Sequence, residues 1–215
     1  MFFHNVKKVV FVGAHTDDEM VAAGTLRKLA NAGVEIKVLV FSYAAIPGMI
    51  RSQAVEILQK EFSASMEAIG VHRRNCEVVG LDPGTLPKHQ DEVRQKIFDF
   101  TERESPELAF ILSEGDDHQD HATVGNMCQI VMRRRVPNLI RCHFPWNFIV
   151  GPQNLIVPLT PEELGVKLTV IRAYRSQHFR YEFEPIFNHQ TALTGFSTKN
   201  PPAEGFEIIR LTVGG

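Results

Sequence analysis

Cysteine is scarce in this chain: Cys76, Cys128 and Cys142 are the only three in 215 residues, and none forms a CxxC pair. That argues against a disulfide framework and fits a reducing cytoplasm. No apolar run reaches the length of a membrane span. The opening stretch, Met1 to Lys8, holds two lysines, but the apolar run after it is short and ends at Asp17, unlike a signal peptide. Neither sign of charge dominates. Lys and Arg total 23 against 25 Asp and Glu, a net −2, so no basic field marks nucleic acid as a partner. Internal repeats, low-complexity segments and a clear linker are all missing. So are GxGxxG and GxxxxGK[ST], the glycine-rich loops that cradle phosphates. What remains is ordinary for a globular protein, 44% hydrophobic and 22% charged, and the length suits one domain over residues 1–215.

The pattern of strands and helices is alternating. Lys8 to Val12 is short, β-branched and apolar on both faces, which reads as a buried parallel strand. Helical spacing follows from Glu19 to Ala32, with Gly33 as the stop, and Val34 to Phe41 reads as the second strand. Together they predict a right-handed βαβ unit. Ser42 to Met49 is a loop leaving the end of that strand. Helices are expected over Arg51 to Ile69, Asp91 to Glu104 and Ala122 to Arg134, and strands over Cys76 to Leu81 and Leu108 to Leu112. Beyond Arg135 the periodicity loosens. Asn138 to Phe144 reads as a strand and Pro145 to Pro161 as a loop or extended segment able to wall a pocket. Thr160, Pro161 and Glu163 form a helix start with a capping box, and a late strand is expected from Phe206 to Leu211.

Chemistry concentrates in two loops. Val12-Gly13-Ala14-His15-Thr16-Asp17-Asp18-Glu19 follows the first strand, and Ser113 to His121 follows Leu108 to Leu112. In a doubly wound sheet, loops after parallel strands converge at their carboxyl ends. His15, Asp18 and His121 would then make two imidazoles and a carboxylate, a common ligand set for a catalytic zinc that keeps a position for water. Asp17 would be a general base, His118 a group facing the substrate, and Asp120 the partner that fixes an imidazole tautomer. Glu19 would support His15 or favour the helix N-terminus. The bland alternative stays open: helix-start charges at 17–19 and solvated histidines at 118 and 121. Asp116 and Asp117 read as solvated loop charges. His143 is an extra candidate on position alone, while His4, His72, His89, His178 and His189 default to surface or core.

Ala14-His15-Thr16-Asp17-Asp18-Glu19 resembles the AHPDDE signature of the LmbE-like, or PIG-L, zinc-dependent N-deacetylases, and His118-Gln119-Asp120-His121 resembles their HPDH motif. Arg175-Ser176-Gln177 is similar to their late SQ segment, and Ala203-Glu204-Gly205-Phe206-Glu207 to their AEAFE tail. The resemblance implies a Rossmann-like α/β three-layer sandwich with a mostly parallel sheet. It implies zinc held by His15, Asp18 and His121, with Asp17 as base and His118, oriented by Asp120, stabilising or protonating the tetrahedral intermediate. The implied substrate is an N-acetyl amino sugar or conjugate, without nucleic acid or a membrane span; a homo-oligomer is left open. Thr16 and Gln119 stand where the family has proline, and Asp116 where some relatives have tyrosine. Leu58 stands where many have an arginine, a role for which Arg51 or Lys60 would have to substitute. Two rival readings stand beside this one: a metal-dependent amidase for a non-sugar N-acyl substrate, and a non-catalytic α/β domain binding a sugar or nucleotide.

Overall fold

A computed structural model describes residues 6–146, 152–180, 182–200 and 202–212. His4, most of the residues before Lys8, and 147–151 of the proline-rich stretch lie outside the described residues. Among those described, seven strands form one sheet: β1 (Lys8–His15), β2 (Glu35–Ser42), β3 (Cys76–Leu81), β4 (Leu108–Leu112), β5 (Asn138–Cys142), β6 (Leu155–Pro158) and β7 (Ala203–Arg210). Their order is β3-β2-β1-β4-β5-β7-β6. The first five in that order are parallel, and β7 and β6 add on antiparallel. The expected α/β architecture with a mostly parallel sheet is therefore present.

β1 sits at the centre because it can be buried on both faces: Val9, Val10, Phe11 and Val12 are fully inaccessible. The chain winds outward from β1 through α1 (Ala23–Asn31) to β2, then through α2 (Arg51–Ile69) to β3. It then returns through α3 (Gln90–Glu104) to β4 on the other side of β1, and continues through α4 (Gln119–Met132) to β5. Right-handed crossovers put α1 and α2 on one face and α3 and α4 on the other. α5 (Pro161–Ala173) packs on α1 and α2, and α6 (Phe183–Phe196) packs on α5 and β7. The direction of winding reverses between β1 and β4, so the crevice at their carboxyl ends is the switch point where open α/β sheets bind ligands.

Several expected boundaries moved. β1 continues to His15, and Asp18–Val21 forms a turn of 3₁₀ helix before α1 begins at Ala23. α4 begins at Gln119, not Ala122, because the His118 ring accepts the Asp120 amide and caps the helix. The capping box at Thr160 formed as expected: Thr160 N–H donates to Glu163 at 2.8 Å, and Glu163 N–H to Thr160 Oγ1 at 3.2 Å. α6 had no counterpart in the sequence reading. Its inner face includes Phe183, Phe187, Thr191, Thr194 and Gly195, while Leu193 and Phe196 point to solvent, so its apolar periodicity is scrambled. β6 is a four-residue edge strand, a position that tolerates Pro158.

One glycine is fixed by this packing. A Cβ on Gly125 of α4 would lie 2.6 Å from the Leu112 carbonyl oxygen and 2.7 Å from the Ser113 carbonyl carbon. Both are backbone atoms at the end of β4, so the helix itself would have to move. Gly125→Ala is expected to destabilise the fold by about 1–3 kcal/mol through overpacking. It should also weaken any hold on the metal expected at His121, which lies one turn earlier on the same helix. Chemical denaturation together with chelator competition reads both effects, and an unshifted denaturation midpoint would contradict the packing argument.

Candidate metal centre

Both chemical loops open on the switch point. His15 ends β1. The chain then turns so tightly that Asp18 folds back onto the strand end, where its Oδ2 accepts the amides of Ala14 (2.7 Å) and His15 (2.9 Å). Gly13 leaves room for this, since a Cβ there would lie 3.2 Å from Asp18 Oδ2. The other oxygen, Oδ1, is left facing His121 Nε2 at 3.1 Å. His121 comes from the first turn of α4, which follows β4. Its Nε2 lies 3.2 Å from His15 Nδ1, and His15 Nδ1 lies 3.9 Å from Asp18 Oδ1. Donor atoms bound tetrahedrally at ~2.0–2.1 Å from one zinc stand about 3.3 Å apart, so two of the three separations match that spacing and the His15–Asp18 pair stands wider, at 3.9 Å.

The outer nitrogens are also held. His15 Nε2 meets Asp120 Oδ2 at 3.0 Å, and His121 Nδ1 meets Asp116 Oδ2 at 3.1 Å. Asp120 is itself fixed by the amides of Gly84 (2.6 Å) and Leu86 (3.1 Å), and Asp116 by the amide of His118 (2.8 Å). Each imidazole therefore presents one nitrogen to the crevice while a carboxylate grips the other, the arrangement that orients metal-binding histidines. The electrostatics agree. Burial would lower the pKa of His121, but Asp18 and Asp116 on either side outweigh it and push it up to about 10. Burial would raise that of Asp18, but His121 and His15 hold it down to about 2. A cluster that grips a proton this strongly is suited to a cation.

The two remaining polar groups stand differently. Asp17 makes no hydrogen bond with its carboxylate among the described residues and faces the cavity. Loss of surrounding water, then the Asp18 charge, push it up to about 6, against the pull of His15, His121 and Arg180. His118 is pushed down to about 4, by desolvation first and then by His15 and His121. Its Nδ1 accepts the Asp120 amide at 3.2 Å, so the neutral ring carries its proton on Nε2. Ligating atoms of His15, His118 and His121 lie within 4.8 Å of one another, as do those of His15, Asp17 and Asp18. All the predicted site residues thus gather in one place.

Some assignments change. The Asp120 carboxylate pairs with His15, and only its backbone amide touches the His118 ring. This follows from helix geometry, since an N-cap side chain bonds a backbone N–H two residues on. Glu19 does not reach His15. It is buried beneath the turn, accepts the Ser65 and Tyr174 hydroxyls, and is pushed up to about 8 by desolvation. Asp116, read as a solvated loop charge, is buried against His121. His143 pairs with Glu207 at 2.9 Å, outside the cavity. Arg51 holds the Tyr43 and Ala44 carbonyls, and Lys60 lies on a separate groove of α2. Asp116→Asn is expected to weaken metal binding about 10–100-fold by loosening His121; competition with a colorimetric chelator checks it, and unchanged affinity would remove Asp116 from the account.

The cavity has a volume of about 470 Å³. The histidines, Asp17 and Asp18 lie at its floor, Phe144, Trp146 and Phe183 wall one side, and Met20, Ala44, Ala45, Pro83, Gly84, Asp117 and Arg180 complete it. Trp146 stacks on Phe144 at 4.4 Å between ring centroids, and Phe144 packs on His121 at 5.0 Å. Arg180 was not singled out from sequence. It lies beyond the SQ segment, whose Ser176 donates to Glu61 and whose Gln177 reaches the Ala45 carbonyl at 3.4 Å.

No curated protein matches the chain significantly. Among solved structures, N,N'-diacetylchitobiose deacetylase from Pyrococcus horikoshii, in complex with its inhibitor MPG, superposes with a TM-score of 0.83 at 20% identity, covering 97% of this chain and 85% of that one. GalB, the 4-carboxy-2-hydroxymuconate hydratase of Pseudomonas putida KT2440, gives 0.81 at 17% identity, with 97% and 98% covered. A zinc-inhibited form of teicoplanin deacetylase Orf2 gives 0.71 at 16% identity, with 93% and 96% covered. At these identities the likeness establishes the fold, which carries hydratase as well as deacetylase chemistry. The family model for GlcNAc-PI de-N-acetylase, PIG-L, matches residues 10–132, from β1 to the end of α4. That is more than half of the chain and spans both chemical loops, so the chain belongs to the PIG-L family of de-N-acetylases.

Proposed function

We propose that the protein is a zinc-dependent hydrolase that removes an N-acetyl group from an amino sugar or sugar conjugate. The observation that carries this reading is the convergence of His15 Nδ1, Asp18 Oδ1 and His121 Nε2 beneath a cavity that also holds Asp17 and His118. His15, Asp18 and His121 would hold the metal. When bound there, zinc would supply Lewis acidity, enough to bring the pKa of a water to about 7. Asp17 takes the proton from the attacking water. It later returns a proton to the amine nitrogen as the C–N bond breaks, giving acetate and the free amine. His118, neutral with Nε2–H directed by its cap, donates to the carbonyl oxygen as negative charge develops there. The Phe144–Trp146 stack suits the apolar face of a sugar ring.

The direct test is acetate release by zinc-loaded protein. N-acetylglucosamine and its conjugates should yield free amine, and chelation should abolish the reaction until zinc is restored. Release only from non-sugar N-acetyl amides would support the amidase reading instead. Ligand binding without release from either class would support the non-catalytic one. Among the described residues no helix is long and apolar enough to cross a membrane. The composition fits action on a dissolved substrate in the cytoplasm.

A further inference from the structure

Arg180 is the only permanently cationic side chain among the described residues that line the cavity. It is exposed, whereas His15 and His121 at the floor are buried, so it stands at the mouth. Its position is fixed without a carboxylate. Nη2 donates to the Ala45 carbonyl at 3.1 Å, and the guanidinium lies 5.3 Å from the Phe179 ring centroid. Ala45 is held in turn by Gln177. Arg180 forms no ion pair among the described residues, and of the five N–H donors of a guanidinium one is used by Ala45. A planar, always charged group held on one edge and open on the other is built to receive a carboxylate or phosphate in bidentate fashion.

Resting on the deacetylase reading above, we propose that the substrate is anionic: it carries a carboxylate or phosphate, away from the N-acyl group, that Arg180 binds at the cavity mouth. The amide then lies over the floor and the sugar ring along the aromatic wall, with the anion fixing the orientation. A rival role for Arg180 is purely electrostatic, since its charge also acts on Asp17. The two roles part experimentally. A group that serves only Asp17 affects every substrate alike, whereas an anion receptor affects only anionic ones.

The test compares N-acetylglucosamine with N-acetylglucosamine 1-phosphate and N-acetylmuramic acid on zinc-loaded protein. At least one of the two anions should exceed the neutral sugar in kcat/KM by about tenfold or more, the range of a charge-assisted pair. Which one does assigns phosphate or carboxylate. Arg180→Gln should collapse that ratio towards one, and Arg180→Lys should restore part of it. Trp146 is the only tryptophan in the chain and lies in the cavity wall, so its fluorescence reports binding of the same ligands independently of turnover. Tighter binding of an anion, lost in Arg180→Gln, without acetate release would keep this inference and overturn the deacetylase reading. Acetate release with no preference among the three sugars, or parallel losses on all three in Arg180→Gln, would overturn the inference and leave the deacetylase reading standing.

Discussion

Asp17→Asn is expected to bind zinc as tightly as the unaltered protein and to lose most of its turnover. The substitution preserves size and leaves Asp18, His15 and His121 untouched, with their contacts to Asp116 and Asp120 intact. It removes the one carboxylate at the cavity floor that no structural hydrogen bond engages among the described residues. General base catalysis contributes about 10²–10⁴-fold, so kcat should fall by that factor, equivalent to about 3–5 kcal/mol of transition-state stabilisation. Substrate binding should change little. The pairing of measurements matters: loss of metal together with turnover would make Asp17 a ligand, and survival of turnover would remove it from the chemistry.

Lys167→Met is expected to cost about 3–5 kcal/mol of stability, because it strands a buried carboxylate. Lys167 and Glu204 are both buried and lie 2.7 Å apart. All three ammonium protons of Lys167 are spent: on Glu204 Oε1, on Met20 O at 2.7 Å and on Val21 O at 3.1 Å. Glu204 meanwhile accepts the amides of Gly24 (3.1 Å) and Thr25 (2.7 Å) at the start of α1. The pair therefore clamps the junction between the turn that carries Asp18 and the start of α1, using residues far along the chain. Adding Glu204→Gln to Lys167→Met should recover part of the loss, since the amide leaves no bare charge. Denaturant midpoints for the two single variants and the double give the coupling. A loss below about 1 kcal/mol in Lys167→Met would show that the pair contributes no more than an exposed one.

The proposed ligands were legible because each set lies within a few residues at the end of an apolar strand, and open parallel sheets bring such ends together. What surrounds them depended on packing that no local pattern encodes. Asp116 looked like one more acid in a polar loop; only the turn capped by His118 buries it behind His121. Glu19 seemed to belong with its neighbours, but its partners, Ser65 and Tyr174, lie on other elements. The tail motif was visible as a string, whereas the function of Glu204 within it, capping α1, needs the insertion of β7 between β5 and β6. Arg180 escaped notice because it precedes α6, where exposed Leu193 and Phe196 and inward-facing threonines invert the usual helical signal.

The central claim is that His15, Asp18 and His121 hold a single catalytic zinc, and metal stoichiometry tests it most directly. Zinc titration of metal-stripped protein, read against a colorimetric chelator, should give one tight site in the unaltered protein and in Asp17→Asn. The same titration should show that site lost or greatly weakened in His121→Ala, with acetate release disappearing in step. Zinc retained undiminished by His121→Ala, or no zinc taken up by the unaltered protein, would contradict the account.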